Sequence, residues 1–431
     1  MNFKDEYKKR LITVDDALNM VKSDTDIVVG LGPAEPIAFL DRLHEVKDNV
    51  ENVNVLTCLD MKDYEFTSNP EMAGHFTNIA WFYTPLTRKA HPHKTASQLP
   101  NHLHLCAKQR LEYRKPHIVM TTVSPMDEHG YFSLSLSLTY EREFMEEADI
   151  VIFEVNENYP RTHGDTFVHI SDVDYIYESN RQVPEIQLVE PNEKDMLIGQ
   201  YIAELVDDGS NIQLGIGGIP NAVAKSLTNK KDLGIHTEMF TEGMLELYEA
   251  GVINNKNKKM HKGKSVTTFA FGTRRLYDFL DDNPSVEFHR GAYTNDPYVI
   301  AQNSKMVSIN TSLQVDLFGQ VCSESLGHRQ YSGAGGQADT AIGARMSPGG
   351  KSIIALYSTV KNDTISTIVP MLTQGAAVTL SRNDVDYVVT EYGVAKLTGR
   401  EIRQRVKNLI AIAHPKFREE IQKKADELMI W

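Results

Sequence analysis

The chain has 431 residues, more than one hydrophobic core usually serves, so two domains are expected. Hydrophobic residues make up 41% and charged residues 24%, the balance of a globular protein, and a net charge of -13 argues against a general nucleic-acid or anionic-membrane partner. No apolar run approaches the roughly 18 residues of a membrane span, and Cys58, Cys106 and Cys322, dispersed and in no CxxC pair, argue against a disulfide framework or zinc site and for a reducing cytoplasm.

In chain order, residues 14–44 read as an amphipathic helical stretch, a polar turn, the apolar strand TDIVVGL, a Gly30-Leu31-Gly32 corner, a proline and a second helix. The strand VNVLTC ends at Cys58, and HIVMTTV and DIVIFEV follow. Strands alternating with helical stretches imply a largely parallel sheet. His91/His93 and His102/His104 alternate with other residues and lack a third ligand at motif spacing, so no metal centre is expected. The segment RQVPEIQLVEPNEK, with two prolines and several charges, suits a linker between a first domain, 1–185, and a second, 195–431.

The second part repeats the first. Residues 197–227 give helix, turn, strand, a Gly215-Ile216-Gly217 corner, Pro220 and helix. LGIHTE ends at Glu238 where the first copy ends at Cys58. TTVSPMDEHGYFS (121–133) pairs with NTSLQVDLFGQVC (310–322), setting Asp127 and Gly130 against Asp316 and Gly319. Three matches at nearly one offset indicate two related α/β halves. The second half supplies NIQLGIG, GIHTEMF, VTTFAFG, KMVSINT, KSIIALY and DYVVTEY as strands, and reads as amphipathic helix from Arg400.

Ligands of open α/β sheets sit at the carboxyl ends of strands, and Glu238 stands at such an end, beside Met239 and Phe240. Partial desolvation there would sharpen it as a nucleophile; capping the next helix, or pairing with an arginine, is the structural alternative. The corner from Gly215 to Pro220 can bring backbone N–H groups against a phosphate or a thioester oxyanion, or be no more than a tight turn. SGAGGQADTAIGA (332–344) suits a loop passing close to a ligand or a plain turn, the basic run NKNKKMHKGK (255–264) a receiver of phosphates or a solvated loop, and Arg274-Arg275 an anion contact or a sheet cap. A dinucleotide-binding reading fails at Pro220 and Glu35, where a third glycine would be needed.

GIHTEMFTEGMLELYEAGVI, QLGIGGIP, SGAGGQ and SRNDVDYVVTEYGVA, in this order and spacing, resemble the acetyl-CoA hydrolase/transferase branch of the class I CoA-transferases across essentially the whole chain, nearest to its 4-hydroxybutyrate and butyryl-CoA:acetate CoA-transferases. The resemblance implies two related open α/β domains of NagB/RpiA-like fold with the active site between them. It implies Glu238 as the covalent nucleophile of a ping-pong glutamyl-CoA mechanism, with acyl-CoA hydrolysis as the alternative on the same fold. CoA and oxyanion contacts carry over to Gln213, Leu214, Gly215, Ile216, Gly217, Gly218, Ile219, Leu313, Gly335, Gly336 and Lys361. Gln213 and Gln337 are candidates to hold the acyl carboxylate or orient Glu238; Pro33 and Glu35 are expected to reach the acyl pocket, with apolar Leu31 and Pro33 favouring a plain aliphatic acid. The implied partners are an acyl-CoA and a small carboxylate, with coenzyme A as substrate, no metal or prosthetic group, no nucleic acid or membrane, and a cytoplasmic homodimer.

Overall fold

The computed structural model describes residues 3–431. The chain divides into two compact units, one formed by Met1–Ile186 with Val266–Tyr293 and the other by Gln187–Ser265 with Thr294–Trp431. Val266–Tyr293, which falls inside the expected 195–431, groups with the first unit. The segment that holds VTTFAFG packs with the first unit: Gly272 O accepts from Ile186 N–H (3.1 Å), and Tyr277 Oη donates to Pro184 O (2.7 Å).

In the first unit, α1 (Val14–Leu18) starts with a reciprocal cap between Thr13 and Asp16. Seven strands follow: β1 (Asp26–Val29), β2 (Val53–Thr57), β3 (Phe76–Ala80), β4 (Ala96–Gln98), β5 (Ile118–Val123), β6 (Ile150–Asn156) and β7 (Tyr175–Ser179). They form one parallel sheet in the order β7-β6-β5-β1-β2-β3-β4. Every residue of β1 and β5 is buried, as a central parallel strand covered on both faces requires. Ile27, Val29, Val53, Phe76 and Ile118 build the core on one face with Phe39 from the helix after the first glycine corner.

The second unit opens with α2 (Glu193–Leu205), capped reciprocally by Asn192 and Asp195. Its sheet comprises β8 (Asn211–Leu214), β9 (Gly234–Ile235), β10 (Met306–Thr311), β11 (Lys351–Ala355), β12 (Tyr387–Thr390) and β13 (Gly393–Lys396), in the order β9-β8-β10-β11-β12-β13. All pairs are parallel except the β12–β13 hairpin. Three helices matter for the site: α3 (Gly218–Ser226), α4 (Glu242–Glu249) and α5 (Gln337–Met346). The helical C-terminus is two helices, Ile402–Ile412 and Pro415–Glu427, because Pro415 cannot continue the first but starts the second well.

The duplication is visible in atoms. Asp127 Oδ1 accepts from the N–H groups of His129 and Tyr131, both at 2.9 Å; Asp316 Oδ1 accepts from those of Phe318 (3.1 Å) and Gln320 (2.9 Å). Each aspartate also starts a turn closed by a glycine at positive φ, Gly130 at 84° and Gly319 at 89°. Each unit carries its second strand beside its first, and on the other side of the first strand the later strands run outward in chain order. In this arrangement strand order reverses beside the first strand, the place where open α/β sheets bind ligands.

Candidate active site

Glu238 lies three residues past the end of β9, before α4. One edge of the residue stays exposed, but protein surrounds its carboxylate, and this desolvation pushes the pKa up to about 7. Asn295 Nδ2 donates to Oε2 at 2.9 Å, and the Gly336 N–H also bonds the carboxylate; both hold the pKa down, while the buried Asp339 carboxylate raises it. The result is a carboxylate near its midpoint at neutral pH, held by two N–H donors and stripped of much of its water. Such a group can attack an electrophilic carbonyl.

Gly336 sits so close that a Cβ there would overlap both Asn295 Nδ2 and Glu238 Oε2. A side chain at Gly336 could enter only by displacing the ends of Asn295 and Glu238. Gly335 precedes it with φ at 53°, and α5 follows with no side chain capping its start.

The glycine corner follows β8 directly. Leu214 is buried, Ile216 is 44% exposed and Ile219 is buried in α3. Gly217 has φ of 115° and ψ of -176°. A Cβ there would meet nothing within 4 Å, so backbone conformation is what demands glycine. Gly217 stands at the cap position of α3 and offers no side chain, which leaves the first N–H groups of a nine-residue helix available to an anion.

The other expected residues divide. Leu313, half-buried after β10, donates its N–H to Cys322 O (2.9 Å). Lys361 is exposed at the tip of the hairpin Thr359–Val360/Ile365–Ser366, in a run of three left-handed residues: Lys361 (52°), Asn362 (54°) and Asp363 (58°). Asp363 ties that tip to Lys194 at 2.7 Å. The two glutamines have other partners. Gln213 Oε1 accepts from Ser308 Oγ and Ile309 N–H, both at 3.2 Å, and Gln337 accepts from Ser323 Oγ (2.7 Å) and donates to Thr311 O (2.9 Å). Gln213 Oε1 and the Gln337 amide brace the strand ends, and Asn295 Nδ2 is the amide on Glu238.

Pro33 and Glu35 lie in the first unit, both buried. Pro33 O accepts from Tyr159 Oη at 2.5 Å. Glu35 Oε2 accepts from Tyr64 Oη (2.7 Å) and Met61 N–H (3.2 Å), and burial, reinforced by Asp60, holds its pKa well above the usual range. In the basic run, Lys258 is buried with Nζ on Ile235 O (2.6 Å) and Lys264 O (2.8 Å), and Lys256 pairs with Asp232 at 2.7 Å. Lys258 thus supports the end of β9, and Lys256 the turn before it.

Asn295, Asp339 and His236 were missed from sequence. Asp339 carried a signal, an acid two residues beyond SGAGGQ at a helix start. Asn295 did not, since nothing in TNDP distinguishes it from an ordinary turn before Pro297.

Two family models match the chain: the acetyl-CoA hydrolase/transferase N-terminal domain over residues 1–190 and its C-terminal domain over 272–425. A succinyl-CoA:cyclohexane-1-carboxylate CoA transferase of Geobacter metallireducens is 46% identical over 98% of this chain and 97% of its own. A 4-hydroxybutyrate coenzyme A transferase of Clostridium kluyveri is 45% identical over 98% of each. The crystal structure of RipA from Yersinia pestis superposes with a TM-score of 0.94 at 34% identity, covering 100% of both chains.

Proposed function

Because the chain belongs to the acetyl-CoA hydrolase/transferase family, we propose that it is a CoA-transferase that moves CoA between short-chain carboxylic acids, with Glu238 as its covalent nucleophile. The observation that carries the reading is the desolvated Glu238 carboxylate held by Asn295 and the Gly336 N–H. The relatives named as 4-hydroxybutyrate and succinyl-CoA:cyclohexane-1-carboxylate CoA transferases, each matched over nearly its full length, support transfer to a carboxylate over hydrolysis.

The Glu238 carboxylate oxygen attacks the thioester carbonyl carbon. The C–S bond breaks, CoA leaves as thiolate, and an acyl-glutamyl anhydride remains. The thiolate then attacks the glutamyl carbonyl carbon; the bond between that carbon and the bridging oxygen breaks, the first acid departs as carboxylate with that oxygen, and a glutamyl-CoA thioester stands at Glu238. A second carboxylate attacks that thioester and expels CoA thiolate, which takes the new acyl group and frees Glu238. Thioester energy is retained throughout, so no ATP is needed. Both intermediates hydrolyse if water reaches them, and burial around Glu238 opposes this.

The Gly336 N–H and those at the start of α3 are the donors we assign to the tetrahedral oxyanion and the CoA phosphates, with Gln213–Ile219, Leu313 and Lys361 framing the CoA path. Butyrate or 4-hydroxybutyrate with acetate are the acid pairs we favour. A cytoplasmic homodimer belongs to the same proposal and rests on the family resemblance; light scattering on the purified protein tests the dimer. The assay follows CoA exchange from butyryl-CoA to acetate, propionate, crotonate and 4-hydroxybutyrate, with release of free CoA in buffer as the hydrolysis control. Exchange faster than hydrolysis, with parallel-line kinetics, is expected; hydrolysis faster than exchange with every acid would replace this reading by a thioesterase.

A further inference from the structure

A line of buried side chains leads away from the reacting carboxylate. His236, two residues before Glu238, is 1% exposed. Its Nε2 lies 2.8 Å from the Thr294 carbonyl oxygen, so Nε2 carries a proton and donates it. Its Nδ1 lies 3.4 Å from Asn303 Nδ2. The buried Asn303 amide is fixed in this sense, because its Oδ1 accepts from the N–H groups of Lys259 and Met260, both at 3.2 Å. The ring is thereby set as the neutral Nε2–H tautomer; a second proton on Nδ1 would face an NH₂ group.

Thr294 is the neighbour of Asn295, whose Nδ2 holds Glu238 Oε2. The Asn295 Oδ1 is buried and has no hydrogen-bond partner among the described residues. Nothing on the oxygen side therefore fixes the Asn295 amide, and its aim depends on the backbone that carries it. The carbonyl of that backbone is the one His236 holds, so this hydrogen bond cross-ties the segment bearing Glu238 to the segment bearing its donor.

We propose that His236 is a positioning residue that, by gripping the Thr294 carbonyl, keeps the Asn295 amide on Glu238 and the nucleophile aimed. This rests on Glu238 being the nucleophile. Asp339 is a charged group that acts on Glu238. Loss of the tie leaves Glu238 with the Gly336 N–H and a poorly aimed amide. Because that amide favours the ionised carboxylate, the pH at which the enzyme gains activity moves up.

The test compares His236→Phe, His236→Gln and Asn295→Ala in the full-length enzyme by exchange kinetics across pH. His236→Phe is expected to lower kcat about 10–100-fold, to leave KM for acyl-CoA within about twofold, and to raise the midpoint of the acid limb as Asn295→Ala does. His236→Gln can still donate to Thr294 O and should recover much of the loss. The double variant His236→Phe/Asn295→Ala should be little worse than Asn295→Ala alone. A His236→Phe enzyme with a wild-type midpoint, or with losses that multiply with those of Asn295→Ala, overturns the proposal. If His236→Phe fails to fold, a His236→Gln enzyme with a wild-type thermal midpoint but no recovery of the pH midpoint overturns it equally. Borohydride trapping on the wild-type enzyme separates the two claims: no modification at Glu238 defeats the nucleophile reading, whereas modification there with unaltered His236 variants defeats only the positioning role.

Discussion

The two halves share the frame around their first strands and differ in what one strand end carries. After β1 and after β8 come the glycine corners, and after β5 and β10 come turns in which Asp127 and Asp316 accept the same pair of backbone N–H groups. At the corresponding position beyond the second strand, one half has Cys58, buried and 5% exposed, and the other has Glu238 with its pKa pushed up to about 7. Duplication supplied the frame twice, while the environment that makes a carboxylate reactive was assembled once, from Asn295, Gly336 and Asp339. A reactive residue here is a property of its neighbours more than of the strand end.

The sharpest break of this comparison exchanges the two ends. Glu238→Gln should lower CoA exchange by about 10³-fold or more, since no other group can form the covalent intermediate, whereas Cys58→Ala should stay within about twofold of wild type in kcat. A Cys58→Ala enzyme that loses exchange while keeping its thermal midpoint would mean both strand ends act. Next is Gly336→Ala. The new Cβ must push apart Asn295 and Glu238, so kcat should fall about 10²–10³-fold, the cost of losing an oxyanion-type donor, while chemical denaturation records only about 1–3 kcal/mol of overpacking. Full activity in that variant would show that the contact relaxes freely.

The pH dependence sharpens the same contrast. Glu238 must be ionised to attack, so kcat/KM should rise with pH through a midpoint near 7, where an ordinary glutamate would already be ionised by about 4.5. Stability should run the other way. Between about 4.5 and 7 the folded chain holds a proton at Glu238 that the unfolded chain has released, so this residue's contribution falls as pH rises through that window. Glu238→Gln removes the penalty, and denaturation at pH 8 should find the variant more stable by on the order of 2 kcal/mol, with little difference below pH about 4.5. The smallest effect expected is in the shared frame. Asp127→Asn and Asp316→Asn keep the acceptor oxygen and weaken it, and each should cost about 1 kcal/mol by denaturation; a markedly unequal pair would break the equivalence of the two turns.

Much of this was legible beforehand because it depends on local pattern. Apolar strands, the glycine corners and the Asp-x-x-Gly turns are set by residues within a few positions of one another. The domain boundary was less legible. Val266–Tyr293 follows the second copy of the repeat in sequence but packs with Met1–Ile186, a long-range choice that no local period encodes. The glutamines of QLGIGG and GGQAD stood near the right glycines, yet their amides brace β10 and its exit. Asn295 arrives from a distant turn with no motif of its own. A carboxylate's donors are fixed by which strand ends meet, and spacing along one chain reports that poorly.

The most direct test is covalent. The purified enzyme is incubated with butyryl-CoA alone, reduced with borohydride, digested, and the peptides sequenced by mass spectrometry. The account predicts that Glu238 is reduced to the corresponding alcohol in proportion to lost activity, with Cys58 and Glu35 untouched and no modification without acyl-CoA. An unmodified Glu238 in an enzyme that still exchanges CoA, or modification at another residue, would contradict it.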